Sequence, residues 1–227
     1  MRHLLGFAVG ALALLAATAP EASAVPDGGY IAIGIGGAIA SGDRGVELDS
    51  PTAQAAQLGC PTCYDETVRT DFGSGLAFEL RFGYLIAGIL APEISLGGHG
   101  ETSFDSGAAY PSFVLRYHPV EHAIAHEDRA WDANVYVGVG YAIGGYYPDE
   151  KKALIDDGKG WDGVAVLAGV GFDYQVASSV SLGLDVRFAL PQYGTFRYDD
   201  DKDLDFDPKS TPSTLVIIPT LQAIFHI

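Results

Sequence analysis

Cys60-Pro61-Thr62-Cys63 holds both cysteines of the chain. A C-x-x-C pair can close a disulfide, share a metal ion or carry out thiol–disulfide exchange. Zinc would need two further ligands, and a redox pair belongs at a helix start in a thioredoxin-like context that is not visible here. In an exported chain the expected state is a disulfide closing a tight external loop. A second group is the acidic run Asp199-Asp200-Asp201-Lys202-Asp203-Leu204-Asp205-Phe206-Asp207. Alternating carboxylates can collect Ca²⁺, but the turn glycine and terminal glutamate of an EF-hand loop are missing, so the run reads as a solvated acidic loop. A third is His118, His122 and His126. A spacing of four would put His122 and His126 on one helix face, yet the glutamate of H-E-x-x-H is absent and a polar turn is the simpler reading. Neither a His-x-Ser pair nor a G-x-S-x-G elbow occurs, so no catalytic residue, cofactor or metal is expected.

The remaining candidates are charges set into apolar stretches at a spacing of two. Glu79 and Arg81 alternate with Phe78, Leu80 and Phe82; Glu93 alternates with Ile94; Arg116 alternates with Leu115 and Tyr117; Asp185 and Arg187 alternate with Leu184, Val186 and Phe188. Side chains on a strand alternate sides, so each charge faces away from its apolar neighbours. Three acids and three arginines then share one surface. A soluble core would have to desolvate all six, at high cost even when paired. A narrow barrel can pair them across its lumen, and an ion-pair network of Glu79, Arg81, Glu93, Arg116, Asp185 and Arg187 is the expected site.

Eight segments have this alternating character: Tyr30–Ala40, Gly75–Tyr84, Leu90–Gly98, Tyr110–His118, Ala133–Tyr146, Gly163–Gln175, Val180–Leu190 and Thr214–Ile227. Most approach the roughly 9–11 residues that a tilted strand needs to cross a bilayer. Their connections alternate, long at Ser41–Ser74, a few residues before Leu90, medium at Gly100–Ala109 and Tyr147–Trp161, short at Ala177–Ser179, and long and acidic at Gly194–Pro212. Outer-membrane barrels show this pattern, with long external loops and tight periplasmic turns. Pro119–Asp132 departs from it, being long where a tight turn is due, and Val120–Asp128 has helical character.

Met1-Arg2-His3, the apolar run Leu4–Ala17 and the small residues Ala22-Ser23-Ala24 form a secretory signal, so residues 1–24 are expected to be cleaved and 25–227 to be the barrel domain. Twenty-nine glycines, twelve tyrosines and eleven phenylalanines beside one methionine suit strands and turns better than helices. A net charge of −16 argues against nucleic-acid binding.

At two places the residues resemble a family. Asn134-Val135-Tyr136-Val137-Gly138-Val139-Gly140-Tyr141 and Gly169-Val170-Gly171-Phe172-Asp173-Tyr174, followed by Ser181–Phe188, are similar to the Y-V-G-x-G-x-G strand and G-x-G-x-D-Y hairpin of small eight-stranded outer-membrane barrels of the OmpA/OmpX and OmpW-like superfamily. The resemblance implies an all-β, eight-stranded, antiparallel up-and-down transmembrane barrel in the outer membrane. It also implies outer-membrane lipid and, during biogenesis, the barrel-assembly machinery as partners. The usual C-terminal aromatic is displaced: the chain ends in Ile227, with Phe225 two residues earlier, and Pro219 interrupts the same strand. Two functions follow with similar weight: a structural or surface-interaction barrel without catalysis, and a narrow channel for small or apolar solutes. Inward Gly34, Gly36, Gly138, Gly140, Gly169, Gly171 and Gly183 would leave room for the second. A soluble periplasmic lipid carrier of lipocalin type is a third reading. The external ligand, if any, is not legible.

Overall fold

The computed structural model describes residues 27–42, 73–101, 106–120, 130–146, 159–199, 202–204 and 214–227. The signal segment 1–24, Cys60 and Cys63, His122 and His126, and most of the acidic run lie outside these residues. The strands are β1 (Gly28–Gly42), β2 (Gly75–Leu85), β3 (Leu90–Gly100), β4 (Ser106–Ala109), β5 (Ser112–Tyr117), β6 (Trp131–Tyr146), β7 (Lys159–Ala177), β8 (Val180–Asp199), β9 (Lys202–Leu204) and β10 (Thr214–His226). Each pairs antiparallel with its neighbours, and β10 pairs with both β8 and β1, so the sheet closes on itself. β4 and β5 are two halves of one wall strand, both lying between β3 and β6. With β9 a short addition to the end of β8, the wall has eight strands: a closed, antiparallel, up-and-down barrel.

The sequence sets the wall's orientation through its period of two. On β7, Val164, Val166, Val170 and Phe172 face outward and are exposed, while Ala165, Leu167 and Gln175 face inward and are buried. The same holds around the circumference, where Ile35, Phe78, Ile94, Phe113, Val137, Leu184 and Leu221 form an apolar outer band. A soluble lipid carrier would need the reverse exterior. The 11 residues of β2 and of β3, at roughly 3.3 Å each and tilted by roughly 40°, rise about 28 Å, close to the apolar band of a membrane barrel.

Two prolines mark where the ladder is interrupted. Pro111 lacks an N–H, and Tyr110-Pro111 separates β4 from β5. The wall holds there through Tyr110 N–H donating to the Gly97 carbonyl (2.7 Å) and Tyr141 N–H donating to the Pro111 carbonyl (2.9 Å). The expected single strand Tyr110–His118 is therefore split, and it begins earlier than expected, taking Ser106–Ala109 from the connection. Pro219 sits within β10, opposite Val186 of β8, and its missing N–H falls on the β1 side. There the ladder skips from Gly36↔Thr220 to Ile39↔Ile217. β1 presses close at the gap, and a Cβ on Gly36 would collide with the Pro219 carbonyl.

All connections at one end are short except that after Tyr117. Ile86 to Ile89 turns β2 into β3, with Ala87 (φ 51°) and Gly88 (φ 66°) both left-handed, the twist favoured in tight hairpins. Ser178 and Ser179 turn β7 into β8. Pro119 and Val120 start a helical turn at the long connection, whose residues 121–129 are not described. At the other end β7 and β8 run on for 19 and 20 residues. The strand thus continues into Gly194–Asp199, which sequence patterning assigns to a loop, because pairing with β7 extends past the apolar band.

Gly36→Ala should impede closure of β1 on β10, costing roughly 1–3 kcal/mol as overpacking does. Gly37→Ala, whose added methyl meets only the Gly75 carbonyl at 3.6 Å, should be neutral. Urea unfolding of the refolded barrel, read by its heat-modifiable gel mobility, compares the two; equal stability would contradict this account of the seam.

Candidate functional site

β2, β3, β5 and β8 each contribute inward positions at the middle of the barrel, and those positions hold Glu79 and Arg81, Glu93, Arg116, and Asp185 and Arg187. All six are buried, at 1–4% exposure. Arg116 forms the tightest junction: its Nε donates to Glu93 Oε1 (2.7 Å), its Nη2 to Glu93 Oε2 (3.3 Å), and its Nη1 to Asp185 Oδ2 (3.2 Å) and to Asn134. Arg187 donates to Glu79 and to Ser95 Oγ (3.1 Å). Arg81 lies between the carboxylates, its Nη1 at 3.5 Å from Asp185 and 3.8 Å from Glu93, its Nε at 3.8 Å from Glu79, and its Nη2 donating to Gln222. Three positive and three negative groups thus neutralise one another across the lumen, so no uncompensated charge is left among them. Such bidentate, charge-assisted bonds are among the stronger polar contacts a protein makes.

Neutral side chains complete the cluster. Tyr136 donates to Asp185 Oδ1 (2.6 Å), and its ring lies 4.3 Å from the Arg116 guanidinium carbon and 5.9 Å from that of Arg187. Tyr30 donates to Glu93, Ser95 donates to Glu79 Oε1 (3.0 Å), and Gln222 donates to Glu79 Oε2 (3.3 Å). Asn134 links the cluster to Asp173 Oδ2 (2.9 Å). These partners are absent from the six charges that alternation singles out. Their parity is legible, since Asn134 and Tyr136 share the inward face of β6 with Gly138, but pairing across a closed barrel is not.

Several inward glycines do not widen the lumen but are sockets for polar side chains, whereas Gly36, Gly138 and Gly140 lie against backbone carbonyls of adjoining segments. A Cβ on Gly169 would overlap the Tyr136 ring, one on Gly83 the Tyr30 ring, one on Gly171 the Asn134 amide, and one on Gly183 the Asp173 carboxylate. One on Gly97 would lie 3.0 Å from Arg187 Nη1. Glycine is needed where a large polar side chain lies flat over the paired strand beside it, so the room expected from Gly169, Gly171 and Gly183 is already occupied.

The interior changes character with depth. Toward the long connections it is more apolar: Ala38, Ala77, Ala142, Ala165 and Ala189 line it and Tyr110, Leu167, Tyr193, Val216 and Ile218 fill it, with His99, Ser112 and Asp162 buried among them. Leu167 is an inward leucine on a face otherwise read as small and polar. Toward the short turns the interior is polar again, where His118 Nδ1 bonds Asp132 and Ser181 Oγ lies 2.9 Å from His226 Nε2. No group of three His, Cys, Asp or Glu among the described residues is arranged to hold a metal ion.

No protein-family model matches the sequence, and no curated protein is significantly similar to it. Solved structures do match. The chain is similar to Neisserial surface protein A, with a TM-score of 0.53 at 11% identity over 88% of this chain and 97% of that one. It is also similar to the outer membrane protein OprG from Pseudomonas aeruginosa, with a TM-score of 0.50 at 14% identity over 88% of this chain and 98% of that one. At these identities the likeness concerns the fold: it is that of small eight-stranded outer-membrane barrels.

Arg116→Ala removes the partner of Glu93 and leaves buried acid uncompensated, which typically costs about 3–5 kcal/mol. Tyr136→Phe removes one charge-assisted bond and should cost about 1.5–3 kcal/mol. Equilibrium urea unfolding in lipid vesicles measures both; an Arg116→Ala loss below that of Tyr136→Phe would refute the central role given to Arg116.

Proposed function

We propose that this chain is an outer-membrane barrel with a structural or surface-interaction role, whose lumen is closed and whose recognition is carried by the long connections. The observation that supports it most is the buried network of Glu79, Arg81, Glu93, Arg116, Asp185 and Arg187, which spans the lumen at mid-depth with mutually satisfied charge. An eight-stranded interior is just wide enough for side chains to fill. The apolar outer band favours residence in lipid, with export and barrel-assembly machinery preceding it. The long connections from Gly42 to Gly75 and from Asp199 to Thr214 leave the end opposite the tight turns, where an outer-membrane barrel meets the cell exterior. No catalytic step belongs to this reading.

Single-channel recording on the purified barrel in planar bilayers tests it. Wild-type protein should give no conductance steps, and neither should Arg116→Ala or Arg187→Ala, because the remaining side chains and the apolar half above still fill the lumen. Steps in the wild type would sink the closed-lumen reading.

The apolar half of the interior favours a second reading, passage of small apolar solutes. Ala38, Ala77, Ala142, Ala165 and Ala189 line much of it, and the ion-pair network below bars an apolar molecule from the straight path. Vesicles carrying the barrel should then take up a small apolar solute faster than empty vesicles, and Leu167→Asn should abolish the gain. Equal uptake in both kinds of vesicle discards this reading.

A further inference from the structure

Tyr110 and Tyr193 stand on one row of the wall. The register that runs through Ala109↔Ile143 and Ser112↔Gly140 sets Tyr110 opposite Ala142, which pairs with Gly163, which in turn pairs with Tyr193. The two tyrosines are three wall strands apart in a ring of eight, nearly facing each other. The residues between them, Ala142 and Gly163, are small enough for both rings to lean inward over the row, and the two hydroxyls meet. Each tyrosine is 1% exposed. From β3 the His99 ring stacks on Tyr110, with 5.8 Å between centroids and 23° between planes.

The charged network is built on a row of similar design. Arg116 pairs with Tyr136, Tyr136 with Gly169, and Gly169 with Arg187, so two long side chains again end a row that has a glycine before the last. On β6 the two rows are six positions apart, Tyr136 to Ala142, which at roughly 3.3 Å per residue and a tilt of roughly 40° is about 15 Å along the barrel axis. Buried Ala165 and Leu167 on β7 and Ala189 on β8 occupy inward positions between them. The rows differ in kind. Ion pairs hold the lower one, whereas the upper one is held by ring packing and a contact between two neutral hydroxyls.

We propose that Tyr110 and Tyr193 form a second barrier, independent of the ion pairs, so that the lumen is closed twice: by charge at mid-depth and by a neutral aromatic bar toward the long connections. The inference rests on the closed-lumen reading and adds to it the place where a solute from the long-connection side is first stopped. Such a solute meets the bar before any of the six charges. Losing one charged partner disturbs the whole network, because its members share bonds, but leaves the packing of the bar untouched.

A thiol placed between the two rows tests this. Ala165→Cys, in a Cys60→Ser/Cys63→Ser background, is refolded in detergent micelles, checked by heat-modifiable mobility and treated with a water-soluble maleimide. The thiol should be nearly inert with the bar in place and should react at least tenfold faster after Tyr110→Ala/Tyr193→Ala. Arg116→Ala alone should leave its rate unchanged. If the double tyrosine variant does not refold, Tyr193→Ala alone carries the comparison. A thiol that reacts freely beneath an intact bar, or just as slowly without it, overturns the proposal. Single-channel recording separates this failure from that of the closed lumen. The double tyrosine variant should stay silent because the network below is intact, and steps in it would overturn the claim of two independent barriers. Steps in the wild type would overturn the closed-lumen reading, and the inference with it.

Discussion

The six charges at the middle of this barrel must be answered by one another across a narrow lumen, and much of the structure is arranged around that requirement. Desolvating an isolated carboxylate or guanidinium is prohibitive, whereas a set whose charges sum to zero and whose polar atoms find partners can be tolerated. The solution here is shared rather than pairwise. Arg116 grips Glu93 with two nitrogens and reaches Asp185 with the third, while Arg81 stands at longer range from three acids. Tyr136 supports the arrangement from beneath with its ring and from the side with its hydroxyl.

Backbone and side chains meet this requirement together. A phenol ring or amide can lie flat over the wall only if the strand paired beside it yields, as Gly83, Gly169 and Gly171 do, and Gly97 gives way to the Arg187 guanidinium arriving from β8. The glycine content that marks the sequence as strand-and-turn material therefore has a second cause inside the barrel. The wall also tolerates Pro111 and Pro219: hydrogen bonds to β3 and β6 flank the first, and an unbroken ladder to β8 holds the second.

The fold was largely legible because one physical rule, alternation, governs both faces of a barrel wall. Asp185 and Arg187 between Leu184, Val186 and Phe188 admit a single orientation once the outer face is apolar. Where two causes give the same residue type, the pattern is silent. Leu167, Val216 and Ile218 point inward but look like lipid-facing residues, so the apolar half of the interior was hidden. Glycines looked like vacancy because a sequence does not say what lies opposite them. The ends of β8 and the break at Pro111 depend on neighbouring strands, through a ladder that continues past the apolar band in one case and loses a donor in the other. Gln222 joined the network only through closure.

That last dependence bears on how the molecule comes to exist. Glu79 meets Arg187 across 108 positions of chain, and Arg81 meets Gln222 across 141. Until the first strand finds the last, Glu79 lacks Arg187 and Arg81 lacks Gln222, and an open sheet would leave the network incomplete. Contacts so remote in sequence form late and slowly. Completion of the network therefore coincides with closure: the contacts that seal the finished lumen are among the most remote in sequence that the chain makes.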